Sequence, residues 1–161
     1  MRHFNIIQLY RDGENSKLDF FDCIDDPLIE TETDFVNDTA YEGEERKEAI
    51  ARLKEAISPF ADVDIDNETL TFHDKQTVEE QYVRHVKAAA EMLQKKFAEK
   101  KYTIGRKILE GGIKEWVKKL TCGDLFFCDG CGQTLSSILT DYLGGYMPET
   151  LHIGDIFDAH N

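Results

Sequence analysis

Three of the four cysteines in this 161-residue chain lie in one short stretch, Cys122-Gly-Asp-Leu-Phe-Phe-Cys128-Asp-Gly-Cys131-Gly, and reactive side chains are grouped nowhere else. A Cys-x-x-Cys pair holds two sulfurs close enough to share a metal ion or to bond to each other. Two chemistries follow. In the first, Cys122, Cys128 and Cys131 supply three thiolates to a zinc ion, and His152 is the preferred fourth ligand because a last strand can return it to this loop. In the second, Cys128 and Cys131 cycle between dithiol and disulfide, which requires a solvent-reachable sulfur with a depressed pKa. Gln133–Leu143 has helical period, so Cys131 is expected near a helix N-terminus, where the partial positive charge favours a thiolate.

The same residues also admit a purely structural reading. Free cysteine packs as a small hydrophobe, and Leu125-Phe126-Phe127 reads as a buried strand, so Cys122 and Cys128 suit a core. A second close ligand pair, usual in structural zinc sites, is missing. The Trp-Cys-Gly-Pro-Cys type of redox signature is absent too, and Asp129 between the cysteines disfavours a neighbouring thiolate.

The second chemical feature is charge. The formal net charge is −13, which argues against binding the phosphates of nucleic acid. Residues 12–48 hold fourteen acidic against three basic side chains, whereas residues 75–119 hold twelve basic against six acidic ones. Within the acidic half, Asp22, Asp25, Asp26, Glu30, Glu32 and Asp34 alternate with apolar residues but lack the glycine and glutamate positions of an EF-hand loop. They suit a surface that engages a basic partner protein, as an inhibitor, an immunity-type protein or a mimic of nucleic-acid charge would. Complementary charge of this kind speeds association more than it deepens affinity. The bland alternatives are a solvated face, or internal pairing with the basic 75–119 region. On the interaction reading, neutralising Asp25, Asp26, Glu30, Glu32 and Asp34 weakens partner capture and leaves the fold intact.

No phosphate loop, dinucleotide fingerprint, nucleophile elbow or His-Glu-x-x-His helix occurs, so enzymatic activity is left undecided, with thiol redox chemistry as its leading form. No cofactor is called for beyond a zinc ion at the cysteines. No apolar run approaches a membrane span and no secretory signal opens the chain, which makes the cytoplasm the expected compartment and free thiols the expected cysteine state.

The elements that must position these residues follow from periodicity. Phe4–Tyr10 and Leu18–Asp22 read as an N-terminal hairpin around Asp12-Gly13. Thr39 and Glu42 have capping-box spacing before a helix carrying Ala49, Ile50, Leu53 and Ile57, which Pro59 ends by disfavouring helical angles at Ser58. Val63–Asp66 and Glu68–Phe72 form a second hairpin. Thr77 and Glu80 give another capping box, heading a helix over 77–100 with the stripe Val78, Tyr82, Val86, Ala89, Leu93 and Phe97. Residues 104–120 keep helical period across a break at Gly111-Gly112. Gly144-Gly145 closes the helix after Gln133, Thr150–Gly154 forms a last strand, and His152, Asp155, Asp158 and His160, metal-ligand types without regular ligand spacing, read as a fraying terminus. The expected architecture is a single α+β domain spanning residues 1–161. Its largely antiparallel sheet of two hairpins and a later strand is packed by a long helix and two or three shorter ones.

Overall fold

The computed structural model describes residues 2–99 and 123–161. The expected helical stretch over 104–120, with its glycine break, lies outside the described residues, as does Cys122. The fold is a mixed α+β architecture built on one seven-stranded sheet.

Two strands organise that sheet. β1 (His3–Tyr10) is apolar on both sides, with Phe4, Ile6, Ile7 and Leu9 all buried, as a strand covered on both faces must be. β7 (Thr150–His160) lies antiparallel beside it from His3↔His160 to Tyr10↔His152. The other edge of β7 is shared, pairing with β4 (Thr69–Phe72) near Leu151 and with the two-residue β2 (Phe35–Val36) near Ala159. β3 (Ala61–Asp64) pairs with β4, so the hairpin expected around Asp66-Asn67 is present. On the far side of β1, β5 (Leu125–Cys128) runs parallel to it and turns back as β6 (Cys131–Gln133). The strand order is β3-β4-β7-β1-β5-β6.

The N-terminal hairpin does not form. Leu18–Asp22 leads instead into helix α1 (Phe20–Ile24), capped by Asp19, whose carboxylate accepts the Phe21 N–H at 2.9 Å. Both edges of β1 are already occupied, by β5 and β7, so no hydrogen-bonding edge is left for a hairpin partner. Nor is the C-terminal segment frayed, because β7 is an interior strand whose Leu151, Ile153, Ile156, Phe157 and Ala159 are buried. Its register with β1 slips between Ile7 and Leu9, where Gly154 and Asp155 lie against Gln8. A Cβ at Gly154 would stand 2.8 Å from the Ser16 carbonyl oxygen as well as against the Gln8 amide, so the position favours glycine.

Helices cover the two faces unequally. On one face lie α3 (Gly43–Ile57), the first turns of α4 (Lys75–Glu99) and α5 (Leu135–Leu143), which bury Ile50, Leu53, Val78, Ile138 and Leu139 against Ile7, Phe126 and Ile156. On the other, α1 and α2 (Pro27–Glu32) set Cys23 and Ile29 against Ile6, Phe127 and Phe157.

Helix ends depart from expectation in instructive ways. The N-cap of α3 is Glu42, which makes no side-chain cap bond, while Thr39 bonds to Asp38, so that capping box is not closed. In α4 the cap moves one turn earlier. Asp74 accepts from the Thr77 N–H at 3.0 Å and from its hydroxyl at 2.7 Å, and these bonds hold its carboxyl below the usual range. The acceptor at the helix entrance is therefore a carboxylate, the stronger partner for the N-terminal dipole, and Thr77 becomes the donor. Along the α4 stripe Val78 and Ala89 are buried and Tyr82 is half-buried, whereas Val86 is exposed. Ser58 keeps helical angles (φ −50°, ψ −30°) although Pro59 follows, and α3 still ends at Ile57. The end of α5 matches the glycine pair: Tyr146 N–H reaches Asp141 O, Gly145 N–H reaches Tyr142 O, and Gly145 takes φ +82°.

Candidate functional site

The cysteine motif is a hairpin turn. Cys128 and Cys131 are directly opposed on β5 and β6, and both residues between them have positive φ, Asp129 at 54° and Gly130 at 77°. Two consecutive left-handed residues make the tight turn whose twist matches the strands, and Asp-Gly is a preferred sequence for it. Asp129 is further held by Arg11, through Nε at 3.1 Å and Nη2 at 3.0 Å, and the same Nη2 bonds the Tyr146 carbonyl at 2.7 Å. The residues between the cysteines therefore serve the turn.

The two sulfurs differ. Cys128 is 1% exposed, inside the core with Phe126 and Leu9, and burial followed by the charge of Asp129 pushes its thiol up to about 12. This is the reverse of the depressed pKa that thiol redox chemistry needs. Cys131 is exposed, and its Sγ lies 3.6 Å from the Cys128 carbonyl. It sits on β6, not at a helix start, because the N-cap of α5 is Thr134, which accepts from Ser137 N–H. Cys23 and Cys128 are buried free thiols and Cys131 an exposed one.

His152 does not join them. It pairs with Tyr10 across the strands and stacks on that ring at 5.2 Å, with its Nε2 against Asp12. Its neighbour Ile153 and Tyr10's neighbour Leu9 both enter the core that holds Cys128. Alternate residues of a strand point to opposite faces, so His152 and Cys128 lie on opposite sides of the sheet. Among the described residues, no group of three His, Cys, Asp or Glu side chains is placed to hold a metal ion. The other terminal candidates also have local partners: Asp155 accepts the Leu18 N–H at 3.0 Å, Asp158 faces His3, and His160 stacks on Phe35.

The acidic residues, by contrast, are brought together on α1, α2 and the strand entry that follows. Asp22, Asp25, Glu30, Glu32 and Asp34 are exposed, and among the described residues no Lys or Arg pairs with them. Asp26 is different. Half-buried, it caps α2 by accepting Leu28 N–H at 2.9 Å and Ile29 N–H at 3.2 Å, and its other oxygen accepts Gly132 N–H at 2.7 Å. Asp26 therefore ties the acidic layer to the cysteine hairpin, and neutralising it would not leave the fold untouched. Pairing with the basic half is not seen among the described residues, since α4 packs on the opposite face of the sheet.

Two aromatics lie exposed within this surface, Phe21, which the sequence places in a strand, at 70% and Phe35 at 53%. Their signal was available in part, as apolar residues out of period beside Asp22 and Asp34. Beside the acidic layer, the 12–19 loop and the Asp129-Gly130 turn enclose a cleft of about 540 Å³ that Glu14, Lys17, Asp19 and Asp22 line. Comparisons with protein-family models, with curated proteins and with solved structures found no match. No helix among the described residues is long and apolar enough to cross a membrane.

Proposed function

We propose that this protein is an acidic interaction protein whose α1–α2 layer docks on a basic surface of a partner protein, acting there as an inhibitor, an immunity-type partner or a mimic of nucleic-acid charge. The observation that carries the reading is the exposure of Asp22, Asp25, Glu30, Glu32 and Asp34 around Phe21 and Phe35. Carboxylates that no Lys or Arg pairs with among the described residues steer a positively charged partner and are then desolvated by it. An aromatic ring among them supplies the apolar anchor around which interface energy concentrates. Buried free thiols suit a reducing compartment, the cytoplasm. The thiol-enzyme and zinc readings have no comparable support, because Cys128 is sealed in the core and His152 lies across the sheet.

The test is crosslinking mass spectrometry of the full chain with its bound partners. It is repeated at rising salt and with Asp22, Asp25, Glu30, Glu32 and Asp34 changed to their amides. The reading expects a stoichiometric partner, crosslinked through residues 19–35 to a lysine- or arginine-rich patch and lost from the amide variant. A partner that stays bound to the variant, or that binds independently of salt, rejects it.

A further inference from the structure

The space between α3 and the sheet is apolar along most of its length and turns polar at one end. In the central row, Ile156 on β7, Ile7 on β1 and Phe126 on β5 are each 0% exposed. Two residues along each strand, on the same face, the row becomes Asp158, Asn5 and Asp124. Asn5 and Asp124 are still 6% and 8% exposed, so two polar side chains occupy positions that burial alone would give to aliphatic residues. They are also coupled, since Asp124 Oδ1 accepts the Asn5 backbone N–H at 2.8 Å.

Above this polar row α3 carries Arg52 and Ala56 and leaves a cleft of about 450 Å³, within the range of about 300–1,000 Å³ typical of small-molecule sites. His3 and Tyr41 stand at its rim beside Asp158, His3 Nδ1 lying 3.4 Å from Asp158 Oδ1. The floor thus presents two carboxylates, the roof one guanidinium, and Ala56 on α3 an apolar patch beside it. Among the described residues, no salt bridge joins Arg52 to either carboxylate. A molecule that complements all three features carries a cation and an anion on one small body.

We propose that this cleft is a binding site for a small zwitterion of the free α-amino-acid class, its ammonium on Asp124 and Asp158 and its carboxylate on Arg52. The site is separate from the acidic α1–α2 surface, which covers the other face of the sheet. Burial raises the Asp124 carboxyl to about 6, against the smaller opposing effects of Asn5, Arg52 and Arg2. Pairing with an ammonium requires the ionised form, so binding weakens as pH falls through that value and is accompanied by proton release there. Among the described residues, Arg2, Arg52, His3, Tyr41 and Asp158 are the charged or titratable groups around Asp124, and a His3→Gln variant separates any contribution of the imidazole.

The experiment is a thermal-shift screen of the full chain against the standard L-amino acids at millimolar concentration, followed by calorimetry of the best binder at pH 5 and pH 7.5. Expected are a rise in Tm with at least one free amino acid and its loss when the amino group is acetylated or the carboxylate is methyl-esterified. Binding should weaken at least tenfold in both Asp124→Asn and Arg52→Gln, and be weaker at pH 5 than at pH 7.5 in wild type and His3→Gln alike. Asp124→Asn keeps an acceptor for the Asn5 N–H, and circular dichroism confirms that it folds. No shift with any amino acid in the wild type, equal binding of the acetylated or esterified probes, or undiminished binding in the two variants overturns the proposal.

Discussion

The same strands show two different protein surfaces on their two faces. Toward α3, α4 and α5, β1 and its neighbours are sealed, and Ile7, Phe126 and Ile156 lose all contact with water. Toward α1 and α2 the cover consists of helices of five and six residues, and Leu18, Phe20, Leu28 and Val36 remain partly exposed around a smaller buried set. Helices this short gain little from their own hydrogen bonds and depend on caps and packing, which explains why Asp19 and Asp26 are both engaged as caps. The thick face spends its residues on stability. The thin face has charge left over, and that charge is what makes it a candidate for recognition.

If this contrast is right, the largest effect belongs to the thick face. Phe126→Ala should cost about 3–5 kcal/mol in a denaturant titration, the range for truncating a sealed aromatic. A loss below about 1 kcal/mol would mean that this core is looser than its packing implies.

Next comes the polar end of the same face. Asp124 titrates at about 6 when folded, against an ordinary value of 3.8, so the folded chain holds the extra proton between these values. The Asp124 contribution to stability then falls as pH rises from about 4 to about 6, by on the order of 3 kcal/mol, so the wild type should lose stability relative to Asp124→Asn across that range. A wild-type profile that already matches the variant there would show Asp124 to be effectively solvated.

On the thin face, Asp26→Ala removes the α2 cap and leaves the Gly132 N–H without its acceptor. A loss of about 1–2 kcal/mol is expected, read as a drop in Tm, with β6 amides exchanging faster by hydrogen exchange. The smallest stability effect should come from Glu30→Gln or Glu32→Gln, each within about 0.5 kcal/mol of wild type. A thiol-reactive probe extends the comparison, since Cys131 should label in the native protein while Cys23 and Cys128 label only on unfolding. Native labelling of Cys128 at the rate of Cys131 would contradict its burial.

Much of this architecture is legible in local pattern. The stripe Ala49, Ile50, Leu53 and Ile57 marks α3, alternation marks β3 and β4, and Gly144-Gly145 marks the end of α5, because each depends on residues a few positions apart. The acidic surface is legible for the same reason, charge density being a property of contiguous sequence. Pairing is not. Leu18–Asp22 has the apolar content of a strand, but β1 is already flanked by β5, more than a hundred residues away, and by β7 at the end of the chain. The Cys-x-x-Cys spacing does not say by itself where its sulfurs go; the fold buries Cys128 and exposes Cys131 on the two sides of the Asp129-Gly130 turn.

Helix periods, turn chemistry and the segregation of charge are readable without coordinates, since these arise from short-range sterics and composition. Which polar residues share an environment emerges from the fold. Asn5, Asp124 and Asp158 lie far apart in the chain and each looks unremarkable there. Their alignment across three strands follows from register, and register is set by which residues the two cores must bury together.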